Sequence, residues 1–301
     1  MQRLLVFQSL WALERRHTDG HEPTLEENLQ RVHAAGYDGL SFSVSAPHTP
    51  AGQAHAARVA TQAHALGLAL EMQCFPKTVD ELAPALELAV RHRVHHLDVQ
   101  PDVRPRDLKE AVRLVDGWRR LAAQAPVEVL IETHRDRLTT DLYATLDLLD
   151  CFPDLRLLGD LSHFLVGREF AWPVSDENHA YMQRILDNCW AFHGRVASRE
   201  QVQVEVSFAC HQPWVELFKL WWRRGFQSWR QRAGADDTLA FVCELGPKPY
   251  AIVGPDGNDL SDRWQDALIL REIARELWAE VCAPADPSAS AMPATPTAAA
   301  G

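Results

Sequence analysis

What most constrains this chain is an alternation that repeats eight times: a short apolar run, then a longer segment whose apolar residues recur at helical spacing. The runs are Leu4–Leu10, Tyr37–Val44, Leu68–Cys74, Val94–Gln100, Val127–Thr133, Leu155–Leu161, Cys189–Val196 and Leu239–Leu245. Between the first two, Thr24-Leu25-Glu26-Glu27 forms a capping-box pattern ahead of Leu25, Leu29 and Val32, and Gly36 supplies a stop. A second helix is expected from about Gly52 to Gly67, and Thr78–Glu81 offers another capping box. Pro84 inside that third helix predicts a kink or a later start, and Pro105 is placed to begin the fourth, which runs to about Gln124. Further helices are expected over Thr140–Leu149, Asp176–Asp187, Pro213–Arg232 and Leu260–Val281, the last with Trp264, Leu268, Ile273 and Leu277 on one face. Strands alternating with helices mean βα units and a parallel sheet. Eight units in one chain fit a closed (β/α)8 barrel, the α/β TIM barrel, better than an open doubly wound sheet. No G-x-G-x-x-G follows the first run, so nothing speaks for a dinucleotide site.

The barrel accounts for residues 1–282 as a single domain. From Ala283 the chain is rich in Pro and Ala and poor in large apolar residues, so 283–301 is expected to be a disordered tail without chemistry. Apolar residues at 47% and charged residues at 24% are ordinary for a chain that buries a large core. Thirty Lys and Arg against 41 Asp and Glu leave a net charge of −11, which disfavours nucleic acid as a partner. The six cysteines form no C-x-x-C pair, which argues against a disulfide framework and suits a reducing compartment. The apolar run at the N-terminus is too short for a signal peptide, and no stretch reaches the ~18 apolar residues of a membrane span. A cytoplasmic protein without membrane contact is expected.

In such a barrel the active site lies at the C-terminal ends of the strands. Four consecutive runs each end in an ionisable residue: Glu132, Asp160, His193 and Glu244, about one βα unit apart. Alone, each has a bland explanation, because a carboxylate at a strand end is commonly a helix cap or an ion-pair partner and a lone histidine is commonly a satisfied half-buried one. Together, three carboxylates and an imidazole would repel strongly if left bare, and a divalent cation supplies the missing countercharge. The oxygen-rich set with one nitrogen and no thiolate suits Mn²⁺, Mg²⁺ or Co²⁺ and tolerates Zn²⁺. Such an ion would polarise a carbonyl or alkoxide and stabilise an enediolate, with Glu132 and Glu244 as the catalytic acid and base.

These segments resemble the xylose isomerase-like TIM barrels, the sugar phosphate isomerase/epimerase group. The matching pieces are Glu132-Thr133-His134-Arg135, Asp160-Leu161-Ser162-His163, His193-Gly194-Arg195-Val196 and Glu244-Leu245-Gly246-Pro247 with Pro249-Tyr250. The likeness covers roughly residues 4 to 281, with its specific motifs in the second half. It implies one divalent metal on the four residues named above, substrate contact by His163, and a substrate anchor in Arg195. His134 shares a strand face with Glu132 and so joins the substrate-binding candidates, as does Arg168, for which a solvated arginine is an equal explanation. Glu71, Gln73, Gln100 and Asp102 are placed for hydroxyl recognition or, equally, for packing and capping, whereas His95-His96 reads as structural.

The expected function is a metal-dependent sugar or polyol isomerase or epimerase. A lyase or hydratase acting on a keto-sugar or cyclitol would use the same metal and glutamates. A repair endonuclease would need more metal ligands and a basic face, and a non-catalytic binding barrel is the remaining alternative. No Gly-rich phosphate cradle is evident, which favours an unphosphorylated carbohydrate. The stretch from Ser198 to Pro213 is expected to be a lid or substrate loop. The stripe Trp214, Phe218, Trp221, Trp222 and Trp229 is read as a packing face, or the face of a homodimer, rather than a sugar platform.

Overall fold

A computed structural model describes residues 1–17 and 19–283, so the expectation for the tail lies outside the described residues from 284 onward. Eight strands form a closed, all-parallel barrel in chain order, with β8 pairing back onto β1. They are β1 (Arg3–Ser9), β2 (Gly39–Ser43), β3 (Ala69–Cys74), β4 (His96–Val99), β5 (Glu128–Glu132), β6 (Leu157–Gly159), β7 (Cys189–Gly194) and β8 (Thr238–Cys243). Around them lie α1 (Leu25–Ala34), α2 (Pro50–Ala65), α3 (Ala83–Arg91), α4 (Leu108–Ala122), α5 (Leu142–Cys151), α6 (Ser162–Gly167), α7 (Asp176–Leu186), α8 (Gln212–Arg232) and α9 (Arg263–Cys282). None of these helices is long and apolar enough to cross a membrane.

Local chemistry sets most of the helix starts. The Thr24 capping box closes as expected, and Thr49, Asp107, Asp141, Ser175 and Asp262 each accept from a first-turn backbone N–H. Two expectations need correction. Pro105 does not open α4: the Asp107 carboxylate accepts from the Glu110 N–H at 2.9 Å and caps a helix that begins at Leu108. The Thr78–Glu81 box does not form either, since Glu81 instead accepts from the Lys77 N–H at 2.7 Å. Pro84 then sits in the first turn of α3, where its missing N–H costs nothing. The six-residue helix α6 has no counterpart in the sequence reading, being too short to show a period.

The two-residue period of the strands sorts side chains into two cores. Between barrel and helices lies the larger one, and Phe218, Trp221, Trp222 and Trp229 of α8 are fully buried in it. The tryptophan stripe is thus a packing face. Inside the barrel a second, smaller cluster joins Phe7, Leu130, Leu158, Ala191, Ala240 and Val242. Two residues further along the same strands come Glu132, Asp160, His193 and Glu244, so these four stand directly on an apolar plug. The inward positions of β3 and β4 are different: Glu71 and Gln73, then His96, Asp98 and Gln100, all buried and all polar.

Candidate metal centre

Glu132, Asp160, His193 and Glu244 converge, with one ligand atom from each lying within 4.8 Å of all the others. Glu132, Asp160 and His193 are wholly buried and Glu244 is 4% exposed. Neighbours hold both oxygens of Asp160 and of Glu244 but only one of Glu132. Gln100 donates to Glu132 Oε2 at 2.6 Å, and the Ser162 hydroxyl and N–H donate to Asp160 Oδ1 at 2.5 and 3.1 Å. Arg195 bridges the remaining pair, donating from Nε to Asp160 Oδ2 at 3.1 Å and from its terminal nitrogen to Glu244 Oε2 at 2.5 Å. Gln73 donates to Glu244 Oε1 at 3.3 Å.

Two atoms at the centre have no hydrogen-bond partner among the described residues: Glu132 Oε1 and His193 Nδ1. His193 Nδ1 stands 3.3 Å from Glu132 Oε1 and 3.1 Å from Glu244 Oε2, close but poorly aimed at either. Buried polar atoms are rarely left this way unless something else binds them. Three carboxylates and one imidazole nitrogen, with two orphaned atoms facing inward, fit a hard divalent ion.

The electrostatics agree. Burial raises the Glu132 pKa, and the facing His193 only partly offsets it. Burial works the same way on Glu244, but there His193 and Arg195 prevail and hold the carboxyl at about 2. Asp160 is likewise held well below the usual carboxylate range, because His163 and Arg195 outweigh its desolvation. For His193 burial favours the neutral ring, yet Glu244 and Glu71 together push its pKa well up. With no ion bound, the centre thus keeps a proton on its imidazole as a surrogate cation.

Above the centre opens a cavity of about 430 Å³ at the barrel mouth. Its polar wall is Gln73, Gln100, His134, Arg137 and Tyr250, with Arg195 and Glu244 at its base, and its apolar wall is Trp11, Phe42 and Phe75. A Cβ on Gly246 would lie 2.1 Å from the Trp11 ring, so any larger residue there would force the indole to shift. Of the substrate residues expected from sequence, His134 and Arg195 line the cavity. The Tyr250 hydroxyl lies 3.3 Å from His134 Nε2, and burial first, then the His163 charge, brings the His134 pKa down to about 2, so its ring is neutral.

His163 lies one layer deeper. It is fully buried, its ring centroid is 3.8 Å from that of His134, and its Nε2 is 3.4 Å from Asp160 Oδ2. Arg168 is not brought to the site: at the C-terminal end of α6, its guanidinium lies over the Tyr143 ring of α5 at 4.0 Å, away from the cavity lining. Arg137, Trp11, Phe42 and Phe75 escaped the sequence reading, although Arg137 follows β5 by only five residues. The stretch after Ser198 is a packed strut rather than a lid. Gln203 accepts from Arg195 at 3.0 Å and from the Gly246 N–H at 2.8 Å, with Val202, Val204 and Val206 buried beside it.

No family model matches the chain, and no curated protein matches it in sequence. Solved structures do. D-psicose 3-epimerase from Clostridium cellulolyticum H10, solved with D-tagatose, superposes with a TM-score of 0.60 at 12% identity, over 91% of this chain and 99% of that one. What these structures share with this chain is the closed (β/α)8 barrel. One such barrel, from Mycobacterium smegmatis in complex with magnesium, matches at a TM-score of 0.58 and 10% identity, over 91% and 98% of the two chains. A sugar phosphate isomerase/epimerase from Parabacteroides distasonis gives 0.58 at 11%, over 93% and 95%.

Proposed function

We propose that this chain is a divalent-metal-dependent isomerase or epimerase of an unphosphorylated sugar or polyol. The observation that carries the reading is the buried set Glu132, Asp160, His193 and Glu244, with Glu132 Oε1 and His193 Nδ1 left for an ion to bind. Structural neighbours in this fold include a D-psicose 3-epimerase solved with D-tagatose and another solved with D-fructose. When bound, the ion would act as a Lewis acid on a substrate carbonyl and offset the charge that develops as the neighbouring C–H proton leaves.

The chain's own residues supply the proton transfer. Environments that push two carboxyl groups apart assign acid and base. Glu244, held ionised by His193 and Arg195, is placed to take the proton, and Glu132, whose burial favours the protonated form, to return one. His134, Gln73, Gln100 and Tyr250 offer donors and acceptors to hydroxyls, and the Trp11, Phe42 and Phe75 wall fits the C–H face of a sugar. Both arginines of the cavity are already engaged, Arg195 with Asp160 and Glu244 and Arg137 with Gln100 and Asp102, which leaves no uncommitted guanidinium there for a phosphate.

Elemental analysis of the purified chain and its Glu132→Gln, Asp160→Asn, His193→Ala and Glu244→Gln variants, paired with ketohexoses in deuterated solvent, tests this. About one divalent ion per wild-type chain, lost in the variants, with solvent deuterium entering a ketohexose carbon, is expected. A wild type that stays metal-free in excess Mn²⁺, Co²⁺, Mg²⁺ and Zn²⁺ would overturn it.

A further inference from the structure

Behind His193, away from the cavity, runs a line of polar side chains that the proposed reaction does not use. His193 Nε2 stands 3.2 Å from Glu71 Oε1, and Glu71 Oε2 lies 2.6 Å from His96 Nε2. His96 Nδ1 is 2.9 Å from His95 Nδ1, and His95 Nε2 is 2.5 Å from the Thr238 hydroxyl. Glu71 and His193 have no exposed surface and His96 has 1%. The line therefore crosses the barrel interior from the candidate metal centre to the start of β8, at the opposite end of the barrel.

With His95 and His96 both neutral, counting protons fixes the direction of every link. An ionised carboxylate only accepts, so His193 Nε2 and His96 Nε2 must both donate to Glu71. A neutral imidazole has one N–H, so His96 Nδ1 accepts from His95 Nδ1–H, and His95 Nε2 accepts from the Thr238 hydroxyl. Once an ion replaces the proton at Nδ1, the same count leaves His193 a lone pair there, on the atom that faces Glu132 and Glu244.

We infer that Glu71 is a positioning residue for the metal centre: it locks His193 in the Nε2–H tautomer that presents Nδ1 to the ion. His96, held by His95 and Thr238, keeps the second Glu71 oxygen fixed, so the ring cannot turn without breaking the whole line. Carboxylates behind ligating histidines typically change metal affinity by 10–100-fold. The inference rests on the metal reading above, and the test separates the two.

Mn²⁺ affinity and the Co²⁺ visible spectrum would be measured for wild type, Glu71→Gln and His96→Gln, alongside the melting temperature of each metal-free protein. A glutamine offers one acceptor, so only one of the two imidazoles can still donate to it. Glu71→Gln should weaken Mn²⁺ binding by about 10–100-fold and alter the Co²⁺ spectrum. His96→Gln should do the same to a smaller degree. A merely structural role would lower the metal-free melting temperature and leave the Kd and spectrum of the folded protein unchanged, which would overturn the inference alone. Wild type that binds no divalent ion would overturn both readings. Should neither variant fold, ¹⁵N-histidine NMR of the Mg²⁺-loaded wild type decides the matter: His193 protonated at Nε2 supports the lock, and protonation at Nδ1 overturns it.

Discussion

The two sides of the barrel interior are built on opposite principles. On β5–β8, the inward layer directly below the candidate centre is apolar, from Leu130 and Leu158 to Ala191, Ala240 and Val242, and the four converging ionisable groups stand just beyond it. On β3 and β4 the inward column stays polar through Glu71, Gln73, His96, Asp98 and Gln100. The apolar side lowers the local dielectric under four charged groups and so strengthens their pull on a cation. The polar side orients them: Gln100 holds Glu132, Gln73 holds Glu244 and Glu71 holds His193. One side carries the candidate ligands and the other aims them.

The comparison predicts that damage to the two sides will read out differently. The largest effect belongs to Glu132→Gln, which removes a ligand and a proton carrier together. Turnover should fall by roughly 10³-fold or more, as expected for a lost acid–base group. Full activity in this variant, measured on any ketose the wild type converts, would break the distinction at its strongest point.

Arg195 offers the next test, because it donates to two of the candidate ligand carboxylates. Arg195→Met leaves Asp160 and Glu244 buried without their partner, and breaking a buried pair costs about 3–5 kcal/mol. Metal-free Arg195→Met should therefore melt well below wild type, and saturating Mg²⁺ or Mn²⁺ should recover part of the loss by supplying the missing positive charge. If the divalent ion gives the variant no more stability than it gives wild type, Arg195 is not sharing the centre's charge balance.

How much of this could be read from the sequence follows the same division. Glu132, Asp160, His193 and Glu244 were legible because each terminates an apolar run and the four recur at the βα interval. Glu71 and Asp98 sit in mid-strand and His96 opens β4, where a polar residue inside a barrel has the same sequence signature as a satisfied packing residue. The sequence reading of His95-His96 as structural does not reveal that His96 bonds Glu71 behind His193. The cavity wall was the least legible part. Trp11 comes from a short 3-10 turn, Phe75 from beyond the end of β3 and Arg137 from a loop, and no periodicity marks such positions. Arg168 failed for the converse reason. Its distance in sequence from His163 suggested reach, but α6 carries it to the outer ring of helices, over Tyr143.

Proton competition sharpens the comparison at a smaller scale. The raised pKa of His193 means that, in the metal-free protein, an ion must displace a proton to reach Nδ1. Below that folded-state value Mn²⁺ affinity should fall about tenfold per pH unit, and above it should level off. Affinity that does not change between pH 5 and 8 would mean that the ion does not contact His193.

The smallest effect tests the polar side at its one unsatisfied member. Asp98 has no exposed surface, and neither of its oxygens has a hydrogen-bond partner. Burial first, and then the Glu132 charge, raises its pKa well above the ordinary value, so the folded protein holds it as the neutral acid. The sign of the consequence is fixed. The unfolded chain ionises this carboxyl near pH ~3.9, and the folded one does so only at higher pH. As pH rises between those values the unfolded state is favoured, so Asp98 costs stability at neutral pH and almost none below pH ~3.9. Asparagine inherits the missing partners but not the cost of staying protonated. Asp98→Asn should then stabilise the metal-free protein at pH 7 by the cost of keeping that carboxyl protonated, with the gain vanishing in acid. Equal destabilisation at pH 4 and pH 7 would instead show that Asp98 has a partner in solution, and the polar column would have to be read as fully satisfied.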